Sequence, residues 1–220
     1  MIKAVIFDMD GLILDSEIVE SHSFEKILKE HGVEPKPNAN GLIHEIGGAD
    51  GSIYYEKFKN KYNLKIDAEV IQSKKRAYWR QTIQEGETTS FPGFLELIEL
   101  LKKENFIIAL ASNRNEASVH LVLEKLGVNH YFHTVVGSAE GRKPKPSPDV
   151  YLHTAKLIGV KPSECVVLED TDVGIFSAKE AGMKAIAVPN KYTKSHNFER
   201  ADVVVSSLKD VSLDLINNLV

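Results

Sequence analysis

The chain has 220 residues, of which 43% are hydrophobic and 26% are charged, and its formal net charge is −4 at pH 7. This balance is typical of a globular protein with one domain or two small ones, and the negative charge argues against a general nucleic-acid-binding surface. A single cysteine, Cys165, excludes an internal disulfide and suits a reducing compartment. No apolar segment approaches the length of a membrane span, so we expect a cytoplasmic protein that needs no membrane, nucleic acid or obligate protein partner.

The apolar run AVIF of the first predicted strand leads directly into the sequence DMDG. Two carboxylates, Asp8 and Asp10, therefore stand close together, and like charges repel unless a positive group lies between them. Residues i and i+2 of an extended strand face the same way, so both carboxylates can reach one ligand. Gly11 allows the backbone to turn sharply after them. The pattern predicts a cation at the end of this strand.

A long helical interval follows the first strand, and the next clear strand begins only near Phe106. The segments SEIVESHSFEKILKEHG, SIYYEKFKNKY and DAEVIQSKKRAYWRQTIQEG all have the pattern of helices. A structureless connection of this length would be unusual in a compact domain. We therefore predict an all-helical cap domain at residues 17–87, inserted into a core domain formed by residues 1–16 and 88–220.

Strands and helices alternate in the rest of the chain. The strands FIIALAS, HTVVGS, CVVLED, KAIAVPN and ADVVVSS are mostly apolar on successive residues, as expected of a parallel sheet covered on both faces. Between them lie amphipathic segments such as GFLELIELLKKE and SPDVYLHTAKLIG. This alternation predicts an α/β fold with a doubly wound, mainly parallel sheet.

Polar residues follow the first four predicted strands, at the sheet edge where doubly wound folds bind ligands. Taken singly, each is as easily explained as a turn, a helix cap or a solvated side chain. Taken together, they place acidic groups that require a cation at one edge, and hard oxygen ligands select Mg²⁺. After Asp8 and Asp10, the group comprises Ser112, Asn113, Lys143, Lys145, Glu169 and Asp170.

These residues also carry a family resemblance. The segments DMDGLILDSE, ASN, KPSPD and LEDTDVG resemble the motifs of the haloacid dehalogenase-like hydrolase superfamily. The helical insertion resembles that of its α-helical cap subclass, which includes β-phosphoglucomutase and many small-molecule phosphatases. The resemblance implies a Rossmann-like sheet and Mg²⁺-dependent chemistry on a small phosphorylated metabolite.

The resemblance also implies roles for the first-motif aspartates and the lysines. Asp8 matches the nucleophile, which forms an aspartyl phosphate. Asp10 matches the general acid and base, and its main-chain carbonyl would also reach the metal. Lys145 matches the lysine that offsets the charge of Asp8 and of the transferring phosphoryl group, with Lys143 as the second choice.

The remaining motif residues match phosphate-binding and metal-binding positions. Ser112 and Asn113 match residues that hold phosphate oxygens. Glu169 and Asp170 match metal ligands that act together with Asp8 and Asp10, with Glu169 binding either directly or through water. Asp172 is predicted to cap a helix.

The substrate is not given by the fold, and the cap sequence leaves phosphatase and phosphomutase open. The β-phosphoglucomutase pattern has a histidine soon after the first motif, where this chain has Glu20 and, just beyond, His22. That pattern also has a cap arginine, where the segment IGGADGS offers Asp50 and no arginine. The basic run Lys74–Arg76 supplies positive charge in the cap, but a solvated helix face explains this run at least as well. These departures favour a phosphatase.

Two further classes fit the sequence less well. An acidic pocket with a lysine also resembles a phospho-receiver module, which is not an enzyme. In receivers, however, the phosphorylated aspartate follows the third strand, whereas here the leading acids follow the first. Dehalogenase chemistry needs neither Mg²⁺ nor a second aspartate, and Asp10 is present.

Overall fold

The computed structural model describes residues 1–35, 51–86 and 88–219. Its strands are β1 (Ala4–Phe7), β2 (Ile107–Asn115), β3 (Thr134–Ser138), β4 (Cys165–Glu169), β5 (Lys184–Ala187) and β6 (Val203–Val204). Its helices are α1 (Ser16–Glu30), α2 (Gly51–Lys61), α3 (Ala68–Glu85), α4 (Phe94–Lys103), α5 (Glu116–Lys125), α6 (Asp149–Ile158), α7 (Asp172–Glu180) and α8 (Leu213–Asn217).

The strands form one parallel sheet within the described residues, in the order β3-β2-β1-β4-β5-β6. Every neighbouring pair is parallel. The strand order reverses between β1 and β4, and in doubly wound sheets ligands bind outside the carboxyl ends of the strands at such a point. The predicted fold class is therefore confirmed, and the sheet places the ends of β1 and β4 side by side.

Strand β1 shows why the strands are apolar on successive residues. Ile6 packs into a cluster that includes Tyr151 of α6 and Ile175 of α7. The ring of Phe7 contacts Phe94 of α4 edge to face, with ring centroids 5.7 Å apart. Successive residues of the strand alternate between opposite faces, so both faces of the sheet are buried.

The chain divides into two compact units. The first comprises Met1–Asp15 with Thr88–Val220, and the second comprises Ser16–Glu87. The second unit has its own buried core, in which the rings of Phe24 and Phe58 have centroids 4.6 Å apart. That this unit acts as a cap domain stays a prediction, and the cap residue Asp50 lies outside the described residues.

Three details refine the sequence interpretation. Cys165 is buried, and burial raises the pKa of its thiol to about 12, so it is a packing residue rather than a nucleophile. The prediction that Asp172 caps a helix was wrong. Thr171 is the N-cap of α7, and its Oγ1 accepts a hydrogen bond from the Gly174 amide, because a β-extended residue before the first turn can reach that donor. Among the described residues, no helix combines the length and apolarity needed to cross a membrane.

Candidate active site

The carboxyl ends of β1 and β4 bring the first and fourth motifs together. Asp8 follows β1, and its main-chain N–H donates to the Leu168 carbonyl at 3.0 Å. This bond continues the β1–β4 ladder, in which Phe7 pairs with Leu168. As a result, one carboxylate oxygen from each of Asp8, Glu169 and Asp170 lies within 4.8 Å of the others. All three side chains are buried.

Lys145 is buried among these acids. Its Nζ donates to Asp8 Oδ1 at 2.5 Å, to Glu169 Oε1 at 2.8 Å and to the Ala111 carbonyl at 3.0 Å. An ammonium group has three donors, so these acceptors satisfy it. Lys143, in contrast, is exposed. Of the two candidate lysines, the structure therefore places Lys145 against Asp8.

One lysine does not balance the acids of this cluster. Burial raises the pKa of Asp8 to about 8, although the charge of Lys145 opposes the shift. Burial also raises the pKa of Asp170 to about 9, and the charges of Glu169 and Asp8 add to the effect. Burial would lower the pKa of Lys145, yet the charges of Asp8 and Glu169 raise it well above its usual range. Burial and mutual repulsion thus oppose ionisation of these carboxyl groups together, and a cation beside them would favour their ionised forms.

Glu169 is fully engaged by protein donors. Its Oε1 accepts from Lys145 Nζ and, at 3.1 Å, from the Tyr151 hydroxyl. Its Oε2 accepts from the Asp170 amide at 3.0 Å and from both the amide and the hydroxyl of Thr171. Glu169 therefore orients Lys145 and the loop after β4, and its oxygens are less open to a metal than those of Asp170.

Asp170 has one oxygen held and one without a partner. Its Oδ2 accepts from Asn190 Nδ2 at 2.8 Å, whereas its Oδ1 is buried and receives no hydrogen bond from the described residues. Asn190 also donates to the Gly11 carbonyl at 2.9 Å. Gly11 has φ +83°, and a Cβ there would run into the Asp170 carboxylate. A buried carboxylate oxygen without a donor, among other acids, fits a hard divalent cation such as Mg²⁺.

Asn190 was missed by the sequence interpretation. It follows β5 in the segment KAIAVPN, so its position after a strand was the available signal. The loop after β5 lies at the same sheet edge as those after β1 and β4, and through Asn190 it contacts the fourth motif.

Asp10 is paired with an arginine that the sequence interpretation also missed. Arg114 Nε donates to both carboxylate oxygens of Asp10 at 3.1 Å, and Nη2 donates to Oδ1 at 2.7 Å. Arg114 directly follows the ASN motif. A basic residue directly after this motif was the available signal, but the direction of its side chain depends on the local backbone of β2.

The second-motif residues interact with neighbouring loops in this structure. Ser112 is buried, and its Oγ accepts from the Arg114 amide at 3.0 Å. Asn113 Oδ1 accepts from the Lys145 amide at 2.9 Å. Asn113 thus fixes the loop that carries Lys145. Apart from Lys143, which is exposed, the structure brings the predicted site residues together at the same sheet edge. The roles of Ser112 and Asn113 toward phosphate stay predictions.

Comparisons with known proteins find a matching family and relatives that are similar over nearly the whole chain. The family described as haloacid dehalogenase-like hydrolase matches residues 5–188. YhcW of Bacillus subtilis, provisionally named a phosphatase, is 33% identical over 98% of this chain and 96% of its own length. Beta-phosphoglucomutase of the same organism is 29% identical over 98% of this chain and 94% of its own length.

A solved structure confirms the fold. The crystal structure of CbbY from Rhodobacter sphaeroides in complex with phosphate superposes with a TM-score of 0.83 and covers 99% of this chain and 100% of that one. Its sequence identity to this chain is 24%.

Proposed function

The chain belongs to the haloacid dehalogenase-like hydrolase family, and on that premise we propose that it is a Mg²⁺-dependent phosphatase. Its substrate is a small phosphorylated metabolite, with sugar phosphates first among those to test. The buried Asp8–Lys145–Asp170 cluster carries the proposal, because it combines a carboxylate nucleophile, a cation and an unpartnered metal-ligand oxygen. The buried cysteine and the absence of a membrane-crossing helix in the described residues are compatible with action in the cytoplasm.

In the first half-reaction, a carboxylate oxygen of Asp8 attacks the phosphorus atom of the substrate. The bond from phosphorus to the leaving oxygen breaks, and Asp10 donates a proton to that oxygen, so that an alcohol leaves. Lys145 stays hydrogen-bonded to Asp8 and offsets the negative charge of the phosphoryl group. We assign Ser112 and Asn113 to the phosphate oxygens.

In the second half-reaction, water attacks the phosphorus atom of the aspartyl phosphate. Asp10, now a carboxylate, takes a proton from this water, and the bond between phosphorus and Asp8 breaks. Phosphate leaves, and Asp8 returns to its carboxylate form.

The acidic residues of the cluster fit a magnesium ion. Asp8 and Asp170 would hold it directly, together with the Asp10 main-chain carbonyl. Glu169 accepts hydrogen bonds from Lys145 and Thr171. It would therefore orient the residues around the ion or bind the ion through a water molecule. When bound, Mg²⁺ supplies positive charge that offsets the repulsion between the acids and the incoming phosphate.

A panel of phosphorylated metabolites, assayed for phosphate release with Mg²⁺ and again with excess EDTA, tests the proposal. We expect release of phosphate from at least one small metabolite, and loss of that release in EDTA. Full activity in EDTA would contradict the metal assignment. No release from any phosphomonoester, including an aryl phosphate, would contradict the phosphatase assignment.

A phosphomutase is the second candidate, favoured by the similarity to beta-phosphoglucomutase over nearly the whole chain. A mutase must keep its aspartyl phosphate from water until a sugar phosphate returns. Adding a hexose phosphate during turnover separates the two, because a mutase passes the phosphoryl group to the sugar faster than to water. Given the missing cap arginine in IGGADGS, we expect water to be the faster acceptor.

A further inference from the structure

We propose that Arg114 is a positioning residue, which holds the Asp10 carboxylate in the orientation needed for proton transfer. This inference rests on the proposed function, because it takes Asp10 as the general acid and base. Arg114 would act through Asp10 rather than by binding the phosphoryl group.

The contact between Arg114 and Asp10 restrains the orientation of the Asp10 carboxylate and also compensates its charge. Arg114 Nε bridges both oxygens of Asp10 at 3.1 Å, while Nη2 reaches Oδ1 at 2.7 Å. A planar guanidinium that binds a carboxylate through more than one N–H restricts the rotation of the carboxylate. The pair is partly buried, with side-chain exposures of 19% for Arg114 and 29% for Asp10. It is therefore protected from water better than a surface ion pair is.

The backbone of Arg114 is itself held in place. The pairing of β2 with β3 shifts register between Ala111 and Asn115, and Arg114 lies in this irregular segment. The Ser112 hydroxyl accepts from the Arg114 amide at 3.0 Å. On β3, Gly137 lets this segment approach closely, since a Cβ there would lie 2.7 Å from the Arg114 carbonyl oxygen. A shift in strand register next to a strand glycine redirects a side chain at a sheet edge.

Different side chains pair with the two aspartates of the first motif. Lys145 pairs with Asp8 and also with Glu169, and Arg114 pairs with Asp10. Three hydrogen bonds from Arg114 restrain the Asp10 carboxylate, and Arg114→Gln would remove them. A misplacement of a catalytic group by about 1 Å can cost roughly 10²-fold in rate.

A double-mutant cycle on the full chain tests the inference, with Arg114→Gln, Asp10→Asn and the combination of both. On an alkyl phosphate with saturating Mg²⁺, we expect Arg114→Gln to lower kcat by roughly 10²-fold, with KM nearly unchanged. On an aryl phosphate the loss should be smaller, because a good leaving group needs little protonation. In the Asp10→Asn background, Arg114→Gln should cause no further loss.

Arg114→Lys is the second variant, which keeps the charge but lacks the planar fork. We expect it to recover part of the lost kcat and to keep the folding of the wild-type chain. Arg200→Gln is the matched control, since Arg200 pairs with Glu180 in an exposed ion pair at 2.7 Å, and it should leave both substrates unaffected.

Two results would overturn the inference. One is an equal loss for Arg114→Gln in the wild-type and Asp10→Asn backgrounds, which would mean that Arg114 acts on the substrate directly. The other is wild-type kcat for Arg114→Lys and Arg114→Gln alike. Failure of the proposed function gives a different result: Asp10→Asn alone would then turn over the alkyl phosphate at the wild-type rate.

Discussion

The two units of the chain use charged residues in different ways. In the first unit, Lys145 is buried against Asp8 and Glu169, with side-chain exposures of 5%, 10% and 2%. In the second unit, Lys74 pairs with Glu30 at 2.6 Å, with side-chain exposures of 35% and 41%. Burying charge is costly, and an imbalance of buried charge still more so, which makes such a cluster a candidate for chemistry. Partly exposed, balanced pairs are ordinary features of a helix surface.

The buried residues of the two units also differ in polarity. The second unit is held together by an apolar cluster that includes Phe24, Phe58 and Ile71. The first unit has a comparable apolar core around its sheet, but its polar cluster lies at the ends of the strands. We infer that the first unit gives up some stability for its chemistry, as functional sites commonly do.

Replacing Asp8 should give the largest effect. Asp8→Asn keeps the shape of the side chain but removes the nucleophile and one metal-binding charge, so we expect no turnover above background. Circular dichroism and a thermal melt should show that the fold is retained. Asp67→Asn in the second unit is the matched control, because Asp67 has a side-chain exposure of 86% and should be replaceable without loss. Near wild-type phosphate release by purified Asp8→Asn would show that another residue is the nucleophile.

Metal binding should be the next most sensitive property. Asp170→Ala removes the carboxylate with the unpartnered oxygen, so we expect Mg²⁺ binding, measured by calorimetry without substrate, to be lost. Asn190→Ala removes the donor that orients Asp170, and we expect Mg²⁺ affinity to fall by about 10- to 100-fold. Asn197→Ala, at an exposed position, is the control. Equal affinities in all four proteins would place the metal elsewhere.

The lysine ion pairs of the two units should contribute differently to the free energy of unfolding. Lys145→Met leaves buried carboxylates without their cation, and breaking such a pair typically costs about 3–5 kcal/mol of unfolding free energy. Lys74→Met breaks a partly exposed pair, for which about 0–1 kcal/mol is typical. Urea unfolding of the metal-free proteins measures both values. If the two substitutions cost the same, the difference between the units in charge burial would have no energetic consequence.

The smallest effect should come from exposed residues of the second unit. His22 and Arg76 lie outside the acidic cluster, so the variants His22→Ala and Arg76→Ala should still catalyse phosphate release. We expect them to change relative kcat/KM among several phosphorylated metabolites, without abolishing release from an aryl phosphate. Unchanged preferences in both variants would count against substrate selection by the second unit.

The sequence was most informative where chemistry depends on position along a strand. Apolar runs followed by Asp8, Ser112 or Asp170 predicted both the parallel sheet and the edge at which these residues meet. This worked because a parallel sheet brings the carboxyl ends of its strands to one edge whatever the details of packing.

The contacts that could not be predicted from the sequence depend on the direction in which individual side chains point. The pairing of Arg114 with Asp10 depends on a register shift in β2, and no periodicity in the sequence shows such a shift. The contact of Asn190 with Asp170 joins the loops after two different strands. Thr171 rather than Asp172 caps α7, and adjacent residues that can both cap are hard to separate from sequence.

In the proposed mechanism, Asp8 carries the phosphoryl group between substrate and water. Asp10→Asn should slow hydrolysis of the aspartyl phosphate by roughly 10²–10⁴-fold, while an aryl phosphate still phosphorylates Asp8. Quenching this variant during the first turnover with an aryl phosphate, followed by mass spectrometry of its peptides, measures this directly. We expect a burst of aryl alcohol and one added phosphoryl group on the peptide that contains Asp8. A burst with the phosphoryl group on any other residue, or turnover without any phosphorylated peptide, would contradict it.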